Sequence, residues 1–165
     1  MTNIFFDKEK RVFHLKSSGM SYIMQLFKED YLTHIFWGKE IDSYSNSFKI
    51  GLADRAFSPN PNAEDRTFSL DTVPLEYPAF GNTDFRTPSI RLRMNDGSHI
   101  TDFRYLDHKI TQGKEKLEGY GQTYGSDQEV ETLVITLKDT LFDIYLDLSY
   151  SVFKDYPVIT RHSKV

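Results

Sequence analysis

The chain has no cysteine among its 165 residues. That excludes disulfides, thiolate nucleophiles and cysteine-bound metal, and it fits a reducing cytoplasm. It also has no basic excess and no basic run; its formal net charge is -4. A general affinity for nucleic acid or anionic membranes therefore finds no support. Long apolar runs are missing too. The first residues, MTNIFFDKEKRVFHL, reach charged Asp7 before any such run, so neither a secretory signal nor a membrane span is expected. No segment of normal helix length carries helix start and stop signals. HExxH, GxSxG and a Gly-rich phosphate loop are all missing, and the five histidines (His14, His34, His99, His108, His162) show no paired ligand spacing. They read as scattered strand or surface residues, with no metal site.

What the chain does have is aromatic side chains: 13 Phe, 10 Tyr and one Trp. Such residues suit pleated, half-buried surfaces, and the length suits one domain with a sizeable core. Period-2 alternation dominates. In 141–153, Phe142, Ile144, Leu146, Leu148, Tyr150 and Val152 share one face, opposite Asp143, Asp147, Ser149 and Ser151. Leu133, Ile135 and Leu137 repeat the pattern upstream, so a hairpin is expected, with Lys138, Asp139 and Thr140 as its connection. A second hairpin is expected in SIRLRMNDGSHITDFRY, turning at Asn95, Asp96 and Gly97. Near the N-terminus, Phe13 and Leu15, then Tyr22, Met24 and Leu26, then 31–37 read as short strands, with Ser18 and Gly19 between the first two. Short strands with turn residues between them predict an all-β fold, an antiparallel sandwich or barrel.

One region breaks this rhythm. Five of the six prolines fall in 51–88, and proline cannot sit in a central strand. Phe57, Phe68, Leu70, Leu75, Tyr77, Phe80 and Phe85 make it too apolar for a disordered linker. An ordered, aromatic-pinned excursion is expected, and such loops are commonly functional. The Gly-rich 113–125 stretch reads as a mobile connection. At the start of the excursion lie Asp54 and Arg55. The carboxylate can accept from sugar hydroxyls while the guanidinium holds it; alternatively the pair is a local turn or salt bridge. Trp37 is a weaker candidate, since a lone strand-end indole can simply pack. Asp143 and Asp147 share a face, but four strand positions separate them by roughly 13 Å. Paired glycosidase carboxylates need about 5–5.5 or 6.5–9.5 Å, so no complete catalytic constellation is present.

The chain closes on DYPVITRHSKV, a turn followed by the opening of a strand. The blocks DRAFSPNPN (54–62), TFSLDTVPLEYPAFGNTDFR (67–86), ITDFRYLDHKI (100–110), KLEGYGQTY (116–124) and SYSVFKDYPVITR (149–161), with the opening at 13–39, resemble the N-terminal region of bacterial α-galactosidases of glycoside hydrolase family 36. The resemblance implies a supersandwich-like, galactose-mutarotase-like β-sandwich, cut within the fold, so that 1–165 is its N-terminal part. A (β/α)8 barrel carrying the two catalytic aspartates, and a C-terminal β domain, would lie beyond residue 165. It further implies retaining hydrolysis of terminal α-galactosyl groups from melibiose, raffinose and related oligosaccharides. No cofactor is implied; a homo-oligomer, in many members a tetramer, is. In relatives an acidic residue at the DR step is associated with the galactose pocket, in some assemblies that of a neighbouring subunit. Asp54, and less directly Arg55, inherit that role as substrate-binding candidates. A stand-alone carbohydrate-binding or assembly sandwich is the alternative.

Overall fold

A computed structural model describes residues 3–44, 49–57 and 59–165. Eight strands form two antiparallel four-stranded sheets, each a simple meander. The first sheet contains β1 (Ile4–Asp7), β2 (Val12–Ser17), β3 (Met20–Leu26) and β4 (Leu32–Lys39). The second contains β5 (Phe103–Gln112), β6 (Val130–Asp139), β7 (Tyr145–Phe153) and β8 (Ile159–Lys164). Among the described residues the only helical pieces are two 3-10 turns, Lys28–Asp30 and Leu70–Thr72. The alternation explains the layering. Phe13, Leu15, Tyr22, Met24 and Leu26 from one sheet and Leu133, Ile135, Leu137, Leu146, Leu148 and Tyr150 from the other enter one buried core. Residues two apart on a strand point the same way, so each sheet presents one apolar face to its partner. The expected all-β sandwich is what the chain forms.

Polar clasps tie the layers at their margins. The Glu131 carboxylate on β6 accepts from the Asn3 and Ile4 backbone N–H groups at 2.7 and 3.0 Å, joining β1 to the second sheet. The Ser17 hydroxyl at the end of β2 lies 2.8 Å from the Phe153 carbonyl and accepts from the Val158 N–H at 3.2 Å. Each clasp satisfies buried polar groups that would otherwise cost about 1–3 kcal/mol.

The expected β6–β7 hairpin is present, but its connection lies later. β6 runs through Asp139, and Phe142 and Ile144 precede β7. The Asp139 carboxylate moves the turn, accepting from the Leu141 and Phe142 N–H groups at 2.8 and 2.7 Å. The second expected hairpin fails as a hairpin. Its turn forms, with Gly97 at φ 86° and the Met94 N–H donating to the Ser98 carbonyl at 2.9 Å. Its arms make no strands: Ile90 forms an isolated parallel bridge to Ala79, and the Thr101 N–H donates to the Phe80 carbonyl. The excursion competes for those backbone groups, and only from Phe103 does a strand begin.

Candidate functional site

The segment between β4 and β5 is ordered by its own core. Phe68, Leu70 and Val73 are buried with Tyr31, and Phe27, Ile50, Leu52 and Leu75 pack around them. Polar anchors fix its backbone. Arg86 is bidentate on the buried Asp84 and donates to the Leu70 and Val73 carbonyls at 2.9 and 3.1 Å. Lys28 reaches Asp65 at 2.5 Å, and Thr67 caps the same carboxylate, so Asp65 is drawn down to about 2. Of the seven apolar residues expected to pin the excursion, Phe68 and Leu70 are buried, and Leu75 and Tyr77 pack against the two cores. Phe57 and Phe85 are exposed instead.

Asp54 stands at the outer rim of this platform, its side chain 55% exposed. Its ion-pair partner is Arg66, at 3.2 Å, and not the adjacent Arg55. Arg55 reaches Asp71 at 2.7 Å. A hydrogen bond from Ser69, then this guanidinium, hold the Asp71 carboxyl below the usual range, against the effect of partial burial. The two neighbours therefore do different things. Arg55 ties the loop to its root, and Asp54 presents a carboxylate that is more than half exposed. Phe57, three residues on, is exposed with φ 59°, in the left-handed region. The geometry suits accepting hydrogen bonds from hydroxyls on an opposing surface. Bond-breaking acid–base chemistry needs a second group, and among the described residues the ion-pair partner of Asp54 is the Arg66 guanidinium.

Trp37 is exposed at the far end of β4, its Nε1–H directed at Met20 Sδ. It borders a cluster that sequence reasoning missed. Glu76, between Pro74 and Pro78, sends a side chain only 1% exposed between the sheets. Tyr22 and Tyr150, from opposite sheets, donate to it at 2.7 and 2.9 Å, and His34 Nδ1 lies at 3.2 Å. Arg161 from β8 completes the ion pair at 3.1 Å and lies over both tyrosine rings. Burial, then the Glu76 charge, pushes both tyrosine hydroxyls well above their ordinary range. A lone carboxylate amid apolar residues and prolines was the available signal, though nothing local identified its partners. The cluster is saturated with its own hydrogen bonds, which makes it a pin for the excursion.

A two-sheet sandwich bearing a braced, carboxylate-tipped loop is the class of domain these observations define. Residues 30–165 match the glycosyl hydrolase family 36 N-terminal domain. The chain belongs to that family. Among curated proteins it is 44% identical over 163 residues to α-galactosidase AgaA of Geobacillus stearothermophilus, covering 98% of this chain and 22% of that protein. Among solved structures it superposes on the family 36 α-galactosidase AgaB from the same organism with a TM-score of 0.90 at 46% identity, covering 99% of this chain and 22% of that one. It also superposes on a substituted AgaA in complex with raffinose, with a TM-score of 0.86 at 46% identity, covering 92% of this chain and 21% of that one. The chain thus spans about a fifth of the length of the α-galactosidases it matches, as their N-terminal portion.

Proposed function

We propose that this chain serves as the non-catalytic N-terminal sandwich of a retaining α-galactosidase. The longer enzyme removes terminal α-galactosyl residues from oligosaccharides such as melibiose and raffinose. Catalytic aspartates sit in a (β/α)8 barrel beyond residue 165, followed by a C-terminal β domain. It works without a metal or organic cofactor in the bacterial cytoplasm as a homo-oligomer, a tetramer in the family's common form. The single observation carrying this reading is the near-complete match of the chain to the N-terminal fifth of enzymes that are α-galactosidases. Asp54 contributes a carboxylate to the sugar pocket, and Arg55 holds the loop that carries it. Support comes from the exposed Asp54 carboxylate, paired with Arg66, on a loop tied down by the Arg55–Asp71 ion pair.

A chimera tests both parts. This chain replaces the matching segment of AgaA, and hydrolysis of raffinose is followed. Asp54→Ala is expected to raise KM about tenfold or more, the cost of losing a charged hydrogen bond to substrate. An unchanged KM and kcat would remove Asp54 from the sugar site.

A further inference from the structure

We propose that Arg86 is a positioning residue for the substrate: through the Leu70–Thr72 turn, Asp71 and Arg55 it sets the place of the Asp54 carboxylate against the galactosyl group. This rests on the reading of Asp54 as a sugar ligand and extends it to a residue that acts at a distance. The connection is continuous. Asp54 and Arg55 are consecutive, so whatever holds the Arg55 side chain restrains the backbone that carries Asp54. Arg55 donates to Asp71 at 2.7 Å. Asp71 lies in the 3-10 turn Leu70–Thr72, and residues 83–86 grip that turn by one donor and two acceptors of its backbone. The Leu70 N–H donates to the Thr83 hydroxyl at 3.3 Å. The Arg86 guanidinium donates to the Leu70 and Val73 carbonyls, which flank Asp71 and Thr72.

Arg86 is itself immobilised. Its guanidinium is bidentate on Asp84 at 2.9 and 2.7 Å, and the Asp84 side chain is buried. A planar fork can hold that carboxylate and the two carbonyls at once, which a point charge cannot. The segment before it is locked in an uncommon conformation. Gly81 and Asp84 exchange both backbone hydrogen bonds, at 2.9 and 3.0 Å, around Asn82 and Thr83, whose φ values are 43° and 76°. Left-handed backbone is a genuine outlier for a β-branched residue. Such outliers persist only where the surroundings fix them, and they cluster at functional sites. Here the Thr83 conformation brings its hydroxyl to the Leu70 N–H, and Asn82 Nδ2 donates to the Tyr31 hydroxyl at 3.0 Å.

The other restraint on Asp54 is weaker. Its ion pair with Arg66 joins two side chains that are both more than half exposed, and pairs of that kind hold little. The Arg55 arm instead ends on a turn whose Leu70 is buried in the loop's own core beside Phe68 and Val73. A ligand presented from a surface loop needs a base that does not move, because a small misplacement of a binding group is costly. Arg86 supplies that base, fastening the turn to the 81–84 segment.

A double-mutant cycle on raffinose hydrolysis by the AgaA chimera tests it. Arg86→Ala is expected to raise KM about three- to tenfold with kcat within about twofold of the parent, the signature of lost binding. In an Asp54→Ala background the same change is expected to move KM by less than about twofold, because the carboxylate it positions is gone. A merely structural role would raise KM equally in both backgrounds. Asp71→Ala cuts the connection midway, leaves Arg86, Asp84 and the core in place, and is expected to reproduce both results. Circular dichroism and a thermal melt report folding. If Arg86→Ala does not fold, Arg86→Lys, which keeps the charge beside Asp84 and loses the fork, takes its place in the cycle. An unchanged KM in the folded Arg86 variant or in Asp71→Ala overturns the proposal and leaves Asp54 at the sugar site. So does a rise that is equal with and without Asp54. An Asp54→Ala chimera with unaltered kinetics removes the sugar-site reading, and the role of Arg86 with it.

Discussion

Replacing Glu76 by alanine should be among the most damaging single changes available in this chain. The carboxylate is buried and takes hydrogen bonds from Tyr22 and Tyr150 as well as the Arg161 ion pair. Removing it leaves two tyrosine hydroxyls without an acceptor between the sheets, and Arg161 without its counter-ion. Breaking a buried pair from one side costs about 3–5 kcal/mol. Arg161 is part-exposed and can turn to water, which places the expected loss near the lower end, at about 3 kcal/mol. With an m-value of about 2 kcal/mol per molar urea, the midpoint falls by roughly 1.5 M. Tyr150→Phe removes one donor and leaves the carboxylate its other partners, so it should cost only about 1–2 kcal/mol. Urea titration followed by far-UV circular dichroism reads both. Asp143→Ala is the control, because Asp143 is highly exposed and among the described residues forms a salt bridge only with Lys138; its stability should stay within about 0.5 kcal/mol of the parent. A Glu76→Ala midpoint no lower than that of Asp143→Ala would refute the buried pin.

The remaining expectations concern the loop tip and acid. Asp54→Ala should leave stability within about 0.5 kcal/mol of the parent, since Asp54 and Arg66 are both more than half exposed. A large loss would make Asp54 a structural residue. Burial lowers the His14, His108 and His162 pKa values. The unfolded chain therefore binds protons that the folded chain refuses, so stability is full above about pH 6.5 and falls as pH drops through the lowered values. For Asp102 burial pulls upward, but hydrogen bonds from Arg104, Tyr31 and Thr140 prevail and hold the carboxyl low. Its share is present above about pH 4 and is lost below that. Urea midpoints measured from pH 8 to 3 should show both declines; a flat profile between pH 7 and 5 would contradict the histidine assignment.

The sheets were legible because period-2 alternation is a local signal. Phe13, Leu15, Leu146 and Leu148 announce a buried face without knowledge of what covers it, and the core contains them all. Turn chemistry was only half as informative. Asn95–Asp96–Gly97 specified a turn, yet the arms bond to 78–81, a competition set by tertiary contacts. At the loop, adjacency of Asp54 and Arg55 suggested a pair. The chain direction sends them apart, to Arg66 and Asp71, residues 12 and 16 positions on. The Glu76 cluster gathers side chains from residues 22 to 161, so no window of sequence contains it.

The division of labour between this sandwich and a separate catalytic domain is tested most directly by hydrolysis of p-nitrophenyl α-galactoside. The folded chain alone should release no nitrophenol above background, while the AgaA chimera carrying it should turn over substrate. Sustained turnover by the purified chain alone, abolished by a substitution within residues 1–165, would contradict the account.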